Sequence, residues 1–420
     1  MSKNNIYEQE KANAQKIITN YNLQHAIDLN AYPIFEQDDF ASLDQVLRGE
    51  SLWRSDSEAS HRLTNVFKQY VNPSEFSIPV SSGTAGLHTV ISYFVRHKGR
   101  FILMSAYTWY SVAASVINSG GIPIFYDIAF QSVKMETPDL GISPSEIGCC
   151  VVSHLFGVPA VDDKALEWLR SNDIPIVEDC AQCIRGKISA YDNVGGIGVA
   201  AIYSFNGSKH IPAGEGGMIA TDNPDIAAFA NNFIMTVDSP RELQIHRFNS
   251  ASEGWNYRLG AISASLAASL IPKTEKNASR IYRNGYRLAS YLTKFPFVNF
   301  VENVAEQNER MWLGFPIYID SKRNYDYSLR NTLYFLLRYA GYPCSVWVDL
   351  PIPETELLQK FYNANPSAKQ TDTWPGAKYA SEHLLILSGL QGLDESNLSL
   401  LEKVFLSFTE EMSLNMSEVI

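Results

Sequence analysis

The chain has 420 residues, of which 45% are hydrophobic and 19% are charged, a composition typical of globular proteins that excludes a disordered chain. Its net charge of -11 argues against general binding to nucleic acids or anionic membranes, although a local basic pocket is compatible with it. The five cysteines lack a disulfide-framework spacing, and neither an apolar signal segment nor a run of about 18 apolar residues occurs, so we expect a cytoplasmic protein without membrane spans.

The first fifty residues indicate helices and loops, and an alternating pattern begins near residue 76. Short β-rich runs lie at residues 76–80, 101–104, 122–126, 149–155, 174–177, 199–205 and 218–221. Helical patterns separate many of them, at residues 85–95, 110–119 and 162–172. Strands that alternate with helices predict an α/β fold with a mostly parallel sheet flanked by helices. Ligands of such sheets bind beyond the carboxyl ends of the strands.

The pattern changes after residue 270. A long helix is predicted at residues 276–293, with strands near 312–318 and 384–387 and helices near 327–341 and 395–408. A polar segment at residues 363–373 is predicted to be an exposed loop. We therefore predict a large domain at residues 1–270, which includes an N-terminal arm, and a smaller α+β domain at residues 271–420.

A turn rich in small residues follows the first predicted strand. It reads Ser81-Ser82-Gly83-Thr84-Ala85 and stands directly before a predicted helix. Small residues let backbone N–H groups approach an anion, and the dipole at a helix N-terminus favours a negative charge there. The turn is therefore a candidate phosphate site. The alternative is a helix N-cap without a ligand, because serine and threonine cap many helices.

Two carboxylates, Glu178 and Asp179, end an apolar run at residues 174–177. A carboxylate at the carboxyl end of a strand points into the ligand crevice, where it can bind a cation, a metal or a protonated ring nitrogen. The alternative is a helix cap or a salt bridge within the loop. His154 also ends a predicted strand, and it either faces the crevice or is a structural histidine.

A single lysine, Lys209, lies in a glycine-rich loop between two predicted strands. A lysine whose pKa is lowered by its surroundings can attack carbonyl groups as a nucleophile. The alternative is an ordinary surface lysine. Two other motifs carry less weight: residues 196–201 resemble a dinucleotide fingerprint but precede a strand, and Cys180 and Cys183 have no second ligand pair at zinc-like spacing.

These segments occur in one order with several others. The ordered blocks are residues 82–85, 106–109, 121–127, 154–159, 178–182, 204–217 and 254–258. Together they resemble the sugar aminotransferases of the DegT/DnrJ/StrS type, which are pyridoxal 5'-phosphate (PLP) enzymes with the aspartate aminotransferase-like fold, called fold type I. The resemblance implies this fold, this cofactor and an aminotransferase activity.

The resemblance also implies roles for four residues around the cofactor ring. Lys209 would bind the cofactor as a Schiff base and transfer a proton between the carbons of substrate and cofactor. Asp179 would pair with the pyridinium nitrogen and keep the ring protonated. Gln182 would face the ring hydroxyl, and Trp109 would stack on the ring and exclude water.

The remaining implied residues surround the cofactor phosphate. Gly83, Thr84 and Ser204 would hold it within one chain, and Asn256 would reach it from the partner subunit. A homodimer with shared active sites follows from this resemblance. A helix of small residues at 260–268 fits close packing against another element, and the alternative is an ordinary core helix within one chain.

We expect the enzyme to move an amino group from glutamate or glutamine to a keto-sugar, a nucleotide-linked keto-sugar or a keto-cyclitol. One departure concerns residues 350–355, where relatives that act on nucleotide sugars often carry Pro-Leu-His and this chain has no histidine. The alternative is therefore a PLP-dependent lyase, decarboxylase or cyclase that acts on an amino-acid-like substrate. A non-catalytic regulator that binds the cofactor is the third hypothesis, since fold does not fix function.

Overall fold

The structure is a computed structural model of the 420-residue chain. It describes residues 3–25, 27, 29, 33–49, 52, 57–139, 141–189, 192–235, 254–301, 311–320, 326–370 and 373–413. Within these ranges two sheets are present, one of seven strands and one of four. The large sheet carries most of the predicted site residues, so its strand ends define the candidate site.

The large sheet is mixed, with all but one strand running the same way. Its strands are β1 Phe76–Val80, β2 Phe101–Ser105, β3 Ile122–Tyr126, β4 Ile147–Ser153, β5 Ile176–Asp179, β6 Ala200–Ser204 and β7 Gly217–Thr221. They lie in the order β1-β7-β6-β5-β4-β2-β3, and only β7 is antiparallel to its two neighbours. Every residue of β4 to β7 is buried, as expected for strands covered on both faces. The predicted α/β architecture is confirmed.

Helices connect the strands and cover both faces of the large sheet. The helices of the chain are α1 Lys3–Tyr21, α2 Gln37–Gly49, α3 Glu58–Tyr70, α4 Gly83–His97, α5 Tyr110–Asn118, α6 Asp163–Ser171, α7 Pro224–Phe233, α8 Ala261–Leu270, α9 Thr274–Leu292, α10 Leu329–Tyr339, α11 Glu356–Ala364, α12 Pro375–His383 and α13 Glu395–Glu411. The predicted helices agree with α4, α5, α6, α9, α10 and α13 to within a few residues, the usual uncertainty of helix ends.

The second sheet is antiparallel and smaller. Its strands are β8 Val298–Phe300, β9 Phe315–Ile319, β10 Cys344–Ser345 and β11 Leu384–Leu387, in the order β10-β11-β9-β8. Helices α9, α10, α12 and α13 accompany it, which gives this half an α+β character. The division into domains at residue 270 stays a prediction, as does the cytoplasmic location. Among the described helices, none is long and apolar enough to cross a lipid bilayer.

Helix α8, the predicted helix of small residues, packs against α2 and α3 of its own chain. The hydroxyl group of Ser265 lies 2.7 Å from that of Ser42, and the Ser42 carbonyl accepts a hydrogen bond from it. Arg62 from α3 donates to the same Ser265 hydroxyl. Close packing within one chain therefore accounts for the small residues, as the alternative proposed. The homodimer stays a prediction, and this helix does not support it.

Candidate active site

The turn between β1 and α4 caps the helix, which is one of the two interpretations that the sequence left open. Ser82 has an extended backbone and caps the helix, since its hydroxyl oxygen accepts a hydrogen bond of 3.0 Å from the Ala85 N–H. Gly83 and Thr84 occupy the first turn of the helix, where backbone N–H groups have no intrahelical acceptor. The cap and an anion site are therefore compatible at this turn.

Ser204, at the carboxyl end of β6, lies directly beside Gly83. A Cβ atom added to Gly83 would stand 3.2 Å from the Cβ of Ser204, tighter than ordinary contact, so the glycine permits this approach. The Ser204 oxygen accepts a weak hydrogen bond of 3.4 Å from the Asn206 N–H, which leaves its hydroxyl hydrogen as a donor. The N-terminus of α4 and the Ser204 hydroxyl group are therefore neighbours. We call the site formed by Gly83, Thr84 and Ser204 the cup.

The adjacent carboxylates at the end of β5 differ in their surroundings. Glu178 is fully buried, and its two oxygens accept four hydrogen bonds, from Gly195 N–H at 2.6 Å, Ile197 N–H at 2.9 Å, Gly198 N–H at 2.9 Å and His154 Nε2 at 3.1 Å. Asp179 is also buried, and it accepts a hydrogen bond of 3.1 Å from the Ala181 N–H. Successive side chains of a strand point to opposite faces, which separates the two carboxylates.

The glycine-rich segment that resembles a dinucleotide fingerprint wraps Glu178. Gly195 takes a positive φ of 84°, and a Cβ atom there would meet the Tyr203 hydroxyl group at 2.1 Å. Only glycine fits this position, which lets three backbone N–H groups reach the carboxylate. The segment is thus structural, in agreement with its position before a strand.

His154 is a structural histidine, one of the two interpretations left open. Its Nδ1 accepts a hydrogen bond of 3.0 Å from the Ala160 N–H, so its Nε2 carries the hydrogen and donates to Glu178. His154, Glu178 and Cys180 have potential metal-ligand atoms within 4.8 Å of one another, and all three are buried. Hydrogen bonds already occupy both nitrogens of His154 and both oxygens of Glu178, which explains this cluster without an ion.

Asp179, which is buried, and Lys209, which is half-buried, carry opposite charges that interact. Burial raises the pKa of Asp179, and the nearby charge of Lys209 counteracts part of this rise. Burial lowers the pKa of Lys209, and the charge of Asp179 again opposes the shift. A lysine with a lowered pKa has a larger fraction of neutral, nucleophilic amine at neutral pH. The surface-lysine alternative does not fit this position.

The loop around Lys209 is closed by its own backbone. The Lys209 N–H donates to the Asn206 carbonyl at 2.9 Å, and the Gly207 N–H donates to the Gly214 carbonyl at 2.8 Å. Gly214 and Gly216 take positive φ values of 84° and 150°. These glycines allow the chain to reverse between β6 and β7, which fixes the position of the lysine at the strand ends.

Gln182 lies three residues after Asp179, in the segment that follows β5. It is buried, and its amide oxygen accepts a hydrogen bond of 3.2 Å from the Phe156 N–H. With the oxygen in use, the amide nitrogen is the group that remains to donate to a ligand. The predicted residue is therefore held in one orientation by the backbone of its neighbour.

Trp109 immediately precedes α5 and is 39% exposed. It stacks on Trp347 with a centroid distance of 5.9 Å and an interplanar angle of 27°. Phe156 and Tyr107 meet Trp347 edge-on at 5.0 and 5.5 Å. No motif surrounds Trp347 in the sequence, so it is not among the predicted site residues. It comes from the second half of the chain, and only its tertiary contact with Trp109 brings it to the site.

Residues 350–355, which lack the expected histidine, pack beside Trp109. The Ile352 N–H donates to the Ala106 carbonyl at 2.8 Å, and the Thr355 hydroxyl group donates to the Ile352 carbonyl at 2.7 Å. Ile352 and Pro353 are buried. The departure from the family pattern therefore lies at the site itself.

Asn256 is exposed, and it lies in a segment that pairs with the end of β1 and the start of the turn before α4. Its neighbour Tyr257 accepts a hydrogen bond of 2.7 Å from the Ser81 N–H through its carbonyl, and Arg258 pairs with Val80. Asn256 thus stands at the surface near the phosphate-type turn of its own chain. Its predicted contact with a partner's phosphate stays a prediction.

Several curated proteins are similar to parts of this chain. GDP-perosamine synthase from Escherichia coli O157:H7 is 26% identical over 213 residues, which are 50% of this chain and 56% of that protein. Protein MosB from Rhizobium meliloti is 30% identical over 154 residues, 36% of this chain and 30% of that protein. The chain therefore spans about half the length, or less, of the curated relatives it matches.

Solved structures match almost the whole chain. The structure of 3-amino-5-hydroxybenzoic acid (AHBA) synthase has a TM-score of 0.79 at 17% identity, and the match covers 93% of this chain and all of that one, 100%. Helicobacter pylori PseC, an aminotransferase involved in the biosynthesis of pseudoaminic acid, has a TM-score of 0.77 at 16% identity, over 91% of this chain and 100% of that one. These likenesses confirm the predicted fold type I. The model of the DegT/DnrJ/EryC1/StrS aminotransferase family matches residues 33–395, and the chain belongs to that family.

Proposed function

We propose that this protein is a PLP-dependent aminotransferase that moves an amino group from glutamate or glutamine to a ketone on a sugar, a nucleotide-linked sugar or a cyclitol. One observation carries the proposal: Asp179 is buried at the carboxyl end of β5, and its charge interacts with that of the half-buried Lys209 in the loop that follows the adjacent strand β6. Such ends are where α/β sheets bind their ligands. Family membership supports the same reaction class.

The donor and acceptor groups of the site fit PLP. The cofactor presents a phosphate, a ring nitrogen, a ring hydroxyl, an aldehyde and a flat ring. The chain offers a complement to each: the Gly83 and Thr84 N–H groups with the Ser204 hydroxyl, the Asp179 carboxylate, the Gln182 amide, the Lys209 amine and the Trp109 indole. When bound, PLP supplies an electron sink for a carbanion next to the transferred nitrogen.

Three side chains prepare the site for this chemistry. The Asp179 carboxylate would hold a proton on the ring nitrogen of a bound PLP through a charge-assisted hydrogen bond. The Lys209 amine, with its lowered pKa, would serve as the nucleophile and as the carrier of the transferred proton. The Gln182 amide would donate to the ring hydroxyl, since the Phe156 N–H holds its oxygen in one orientation.

Aromatic side chains exclude water from the proposed site. Trp109 would cover the ring face of a bound PLP, and Trp347 stacks on Trp109. Phe156 and Tyr107 pack edge-on against Trp347. Loss of water strengthens every electrostatic interaction inside the cleft.

The names of relatives support a ring ketone as the acceptor. One is a GDP-perosamine synthase, one acts in the biosynthesis of pseudoaminic acid and one is an AHBA synthase. The missing histidine beside Trp109 favours a second candidate, a lyase, decarboxylase or cyclase that uses the same cofactor on an amino-acid-like substrate.

Addition of glutamate or glutamine alone separates the two candidates. An aminotransferase converts its bound cofactor to the pyridoxamine form without an acceptor and releases the matching keto acid, whereas a lyase or decarboxylase releases other products. We expect stoichiometric conversion for the wild type and for Lys164→Ala, a control on the exposed face of α6. Lys209→Ala is expected to convert none. Release of CO₂, ammonia or a cyclised product with no pyridoxamine form would support the second candidate.

We further propose a homodimer in which Asn256 completes the partner's phosphate site. Its exposure near the turn before α4 supports a role between subunits. Lys209→Ala and Asn256→Ala proteins are each impaired, and mixing them tests the arrangement. If the sites are shared, one site of each heterodimer carries both lesions and the other carries neither, so activity is partly restored. No restoration would assign Asn256 to its own chain.

A further inference from the structure

A cavity of about 700 Å³ adjoins the lysine loop but is lined by none of the eight residues proposed to hold the cofactor. Its lining comes from the loop itself, from the segment before α2, from the end of α8 and the first half of α9, and from the turns that flank β9, β10 and β11. This volume lies within the range of small-molecule sites, which is roughly 300–1,000 Å³. Leu29, Ile34, Leu270 and Trp312 give the cavity an apolar wall.

Three cations line the cavity, and one of them is already neutralised. Lys273 contacts Asp38 and Asp39 at 2.8 Å each and Glu36 at 3.3 Å, so its charge is balanced. Lys276 and Arg280 stand four residues apart on α9, a spacing that places both on one face of the helix.

Lys276 and Arg280 retain their charges for a ligand. Within the part of the chain that the structure describes, neither has a carboxylate partner, and Arg280 donates only to the Asn277 amide oxygen at 3.2 Å. Both are exposed at the rim, where an entering anion meets them. An arginine and a lysine together are a common phosphate-binding pair.

His210 lines the same cavity, and one of its ring nitrogens has no hydrogen-bond partner among the described residues. It is 5% exposed, and its Nε2 donates to the Met311 carbonyl at 2.8 Å. Its Nδ1 is therefore the acceptor nitrogen of a neutral ring, and this atom is buried without a hydrogen-bond partner among the described residues. A buried acceptor without a donor is costly, so a ligand that donates a hydrogen bond here gains from it.

We propose that this cavity is a separate binding site for a small hydroxylated phosphate ester, such as a sugar phosphate. The phosphate oxygens bind Lys276 and Arg280, and a hydroxyl group of the ligand donates to His210 Nδ1. An inorganic phosphate ion is much smaller than the cavity and leaves its apolar wall uncovered, whereas the carbon face of a sugar covers it. Because His210 directly follows Lys209, the occupant contacts the loop that carries the proposed nucleophile.

Calorimetric titration of the cofactor-loaded protein tests this site. Glucose 6-phosphate is the probe, and inorganic phosphate and glucose are titrated separately. We expect glucose 6-phosphate to bind more tightly than either, because it carries both the anion and the donor. Equal affinity for inorganic phosphate would show a simple anion site and overturn the proposal, as would no binding of glucose 6-phosphate at millimolar concentration.

Variants separate this cavity from the proposed active site. Lys276→Gln with Arg280→Gln is expected to weaken binding by at least about tenfold, since each removes a charged hydrogen-bond donor. Arg283→Gln, an exposed change on the same helix away from the cavity, is the matched control and should bind as the wild type does. His210→Gln, which retains a donor toward Met311, should weaken binding of glucose 6-phosphate but not of inorganic phosphate. Unchanged binding in the double variant would place the ligand elsewhere.

Discussion

Two pairs of neighbouring residues lie at or just beyond the carboxyl ends of the central strands β5 and β6. In each pair, one residue serves the proposed chemistry and the other stabilises the fold. Glu178 and Asp179 are adjacent and both buried, yet Glu178 accepts four hydrogen bonds from the protein, whereas Asp179 has fewer protein donors, among them the Ala181 N–H. A carboxylate whose lone pairs are filled holds the fold together, whereas one with open lone pairs can bind a ligand. Burial alone therefore does not identify the functional carboxylate.

Lys209 and His210 repeat this contrast in the loop. Lys209 is electrostatically coupled to Asp179, whereas His210 is held by the Met311 carbonyl on the side of the second sheet. Lys209 interacts with the proposed catalytic carboxylate, whereas His210 attaches the loop to the second half of the chain. Substitutions at these four positions should therefore separate loss of activity from loss of stability.

The largest effect is expected from Lys209→Ala. Loss of both nucleophile and proton carrier should reduce kcat by about 10⁴-fold or more. The change leaves the buried Asp179 carboxylate without its opposing charge, and this carboxylate, whose pKa burial already raises, can take up a proton. We therefore expect a smaller loss of melting temperature than for Glu178→Gln. Steady-state kinetics and thermal unfolding measure the two effects. A rate near that of the wild type, or a loss of stability as large as that of Glu178→Gln, would contradict the assignment of Lys209 to the functional side.

Asp179→Asn should have the next largest effect. Each pKa unit lost at the ring nitrogen corresponds to about 1.4 kcal/mol, and a loss of roughly three units predicts a kcat about a thousandfold lower. The fold should persist, because the asparagine oxygen can still accept from the Ala181 N–H. Kinetics at saturating cofactor check this expectation. A rate near that of the wild type would move the pyridinium role to another residue.

Glu178→Gln should act on stability instead. The new amide group has to face one of the N–H donors that now surround the carboxylate, and His154 loses its charged partner. We expect the free energy of unfolding to fall by about 3 kcal/mol. Glu167→Gln on the exposed face of α6 is the control. An undiminished free energy of unfolding would remove the contrast between the two carboxylates.

His210 should give stability a pH dependence. Burial lowers its pKa from 6.5 to about 4, so the unfolded chain binds more protons than the folded one between these values. Its contribution is therefore complete above pH 6.5 and is lost as the pH falls toward 4, by up to about 3 kcal/mol. Denaturant unfolding across this range should show a smaller loss for His210→Gln. Parallel profiles for the two proteins would contradict this interpretation.

Much of the fold follows from local patterns, and the differences have physical causes. Strands β1 and β3 begin and end at the predicted residues, because apolar runs bounded by turns are local signals. Strand β5 extends to Asp179, two residues beyond the predicted run. The predicted strand stops before the two carboxylates because charged residues seldom lie in a buried strand. Glu178 can be buried because the segment at Gly195, which is distant in sequence, donates hydrogen bonds to it.

Some features of the candidate site also follow from local sequence patterns, whereas others depend on contacts between distant segments. The cup at Gly83, the carboxylate pair and Lys209 could be predicted because each lies in a short segment of typical composition. Trp347 could not, since its stacking on Trp109 joins residues far apart in sequence. The opposed roles of Glu178 and Asp179 also depend on hydrogen bonds from other segments, which no local pattern contains.

Covalent trapping tests the central claim, that Lys209 is the residue which binds the cofactor, most directly. The purified protein is loaded with PLP, reduced with borohydride, digested and mapped by mass spectrometry. The account predicts one labelled peptide, with the cofactor on Lys209, and no such label in Lys209→Ala. A label on another lysine of the wild type, or a full label in the variant, would contradict the account.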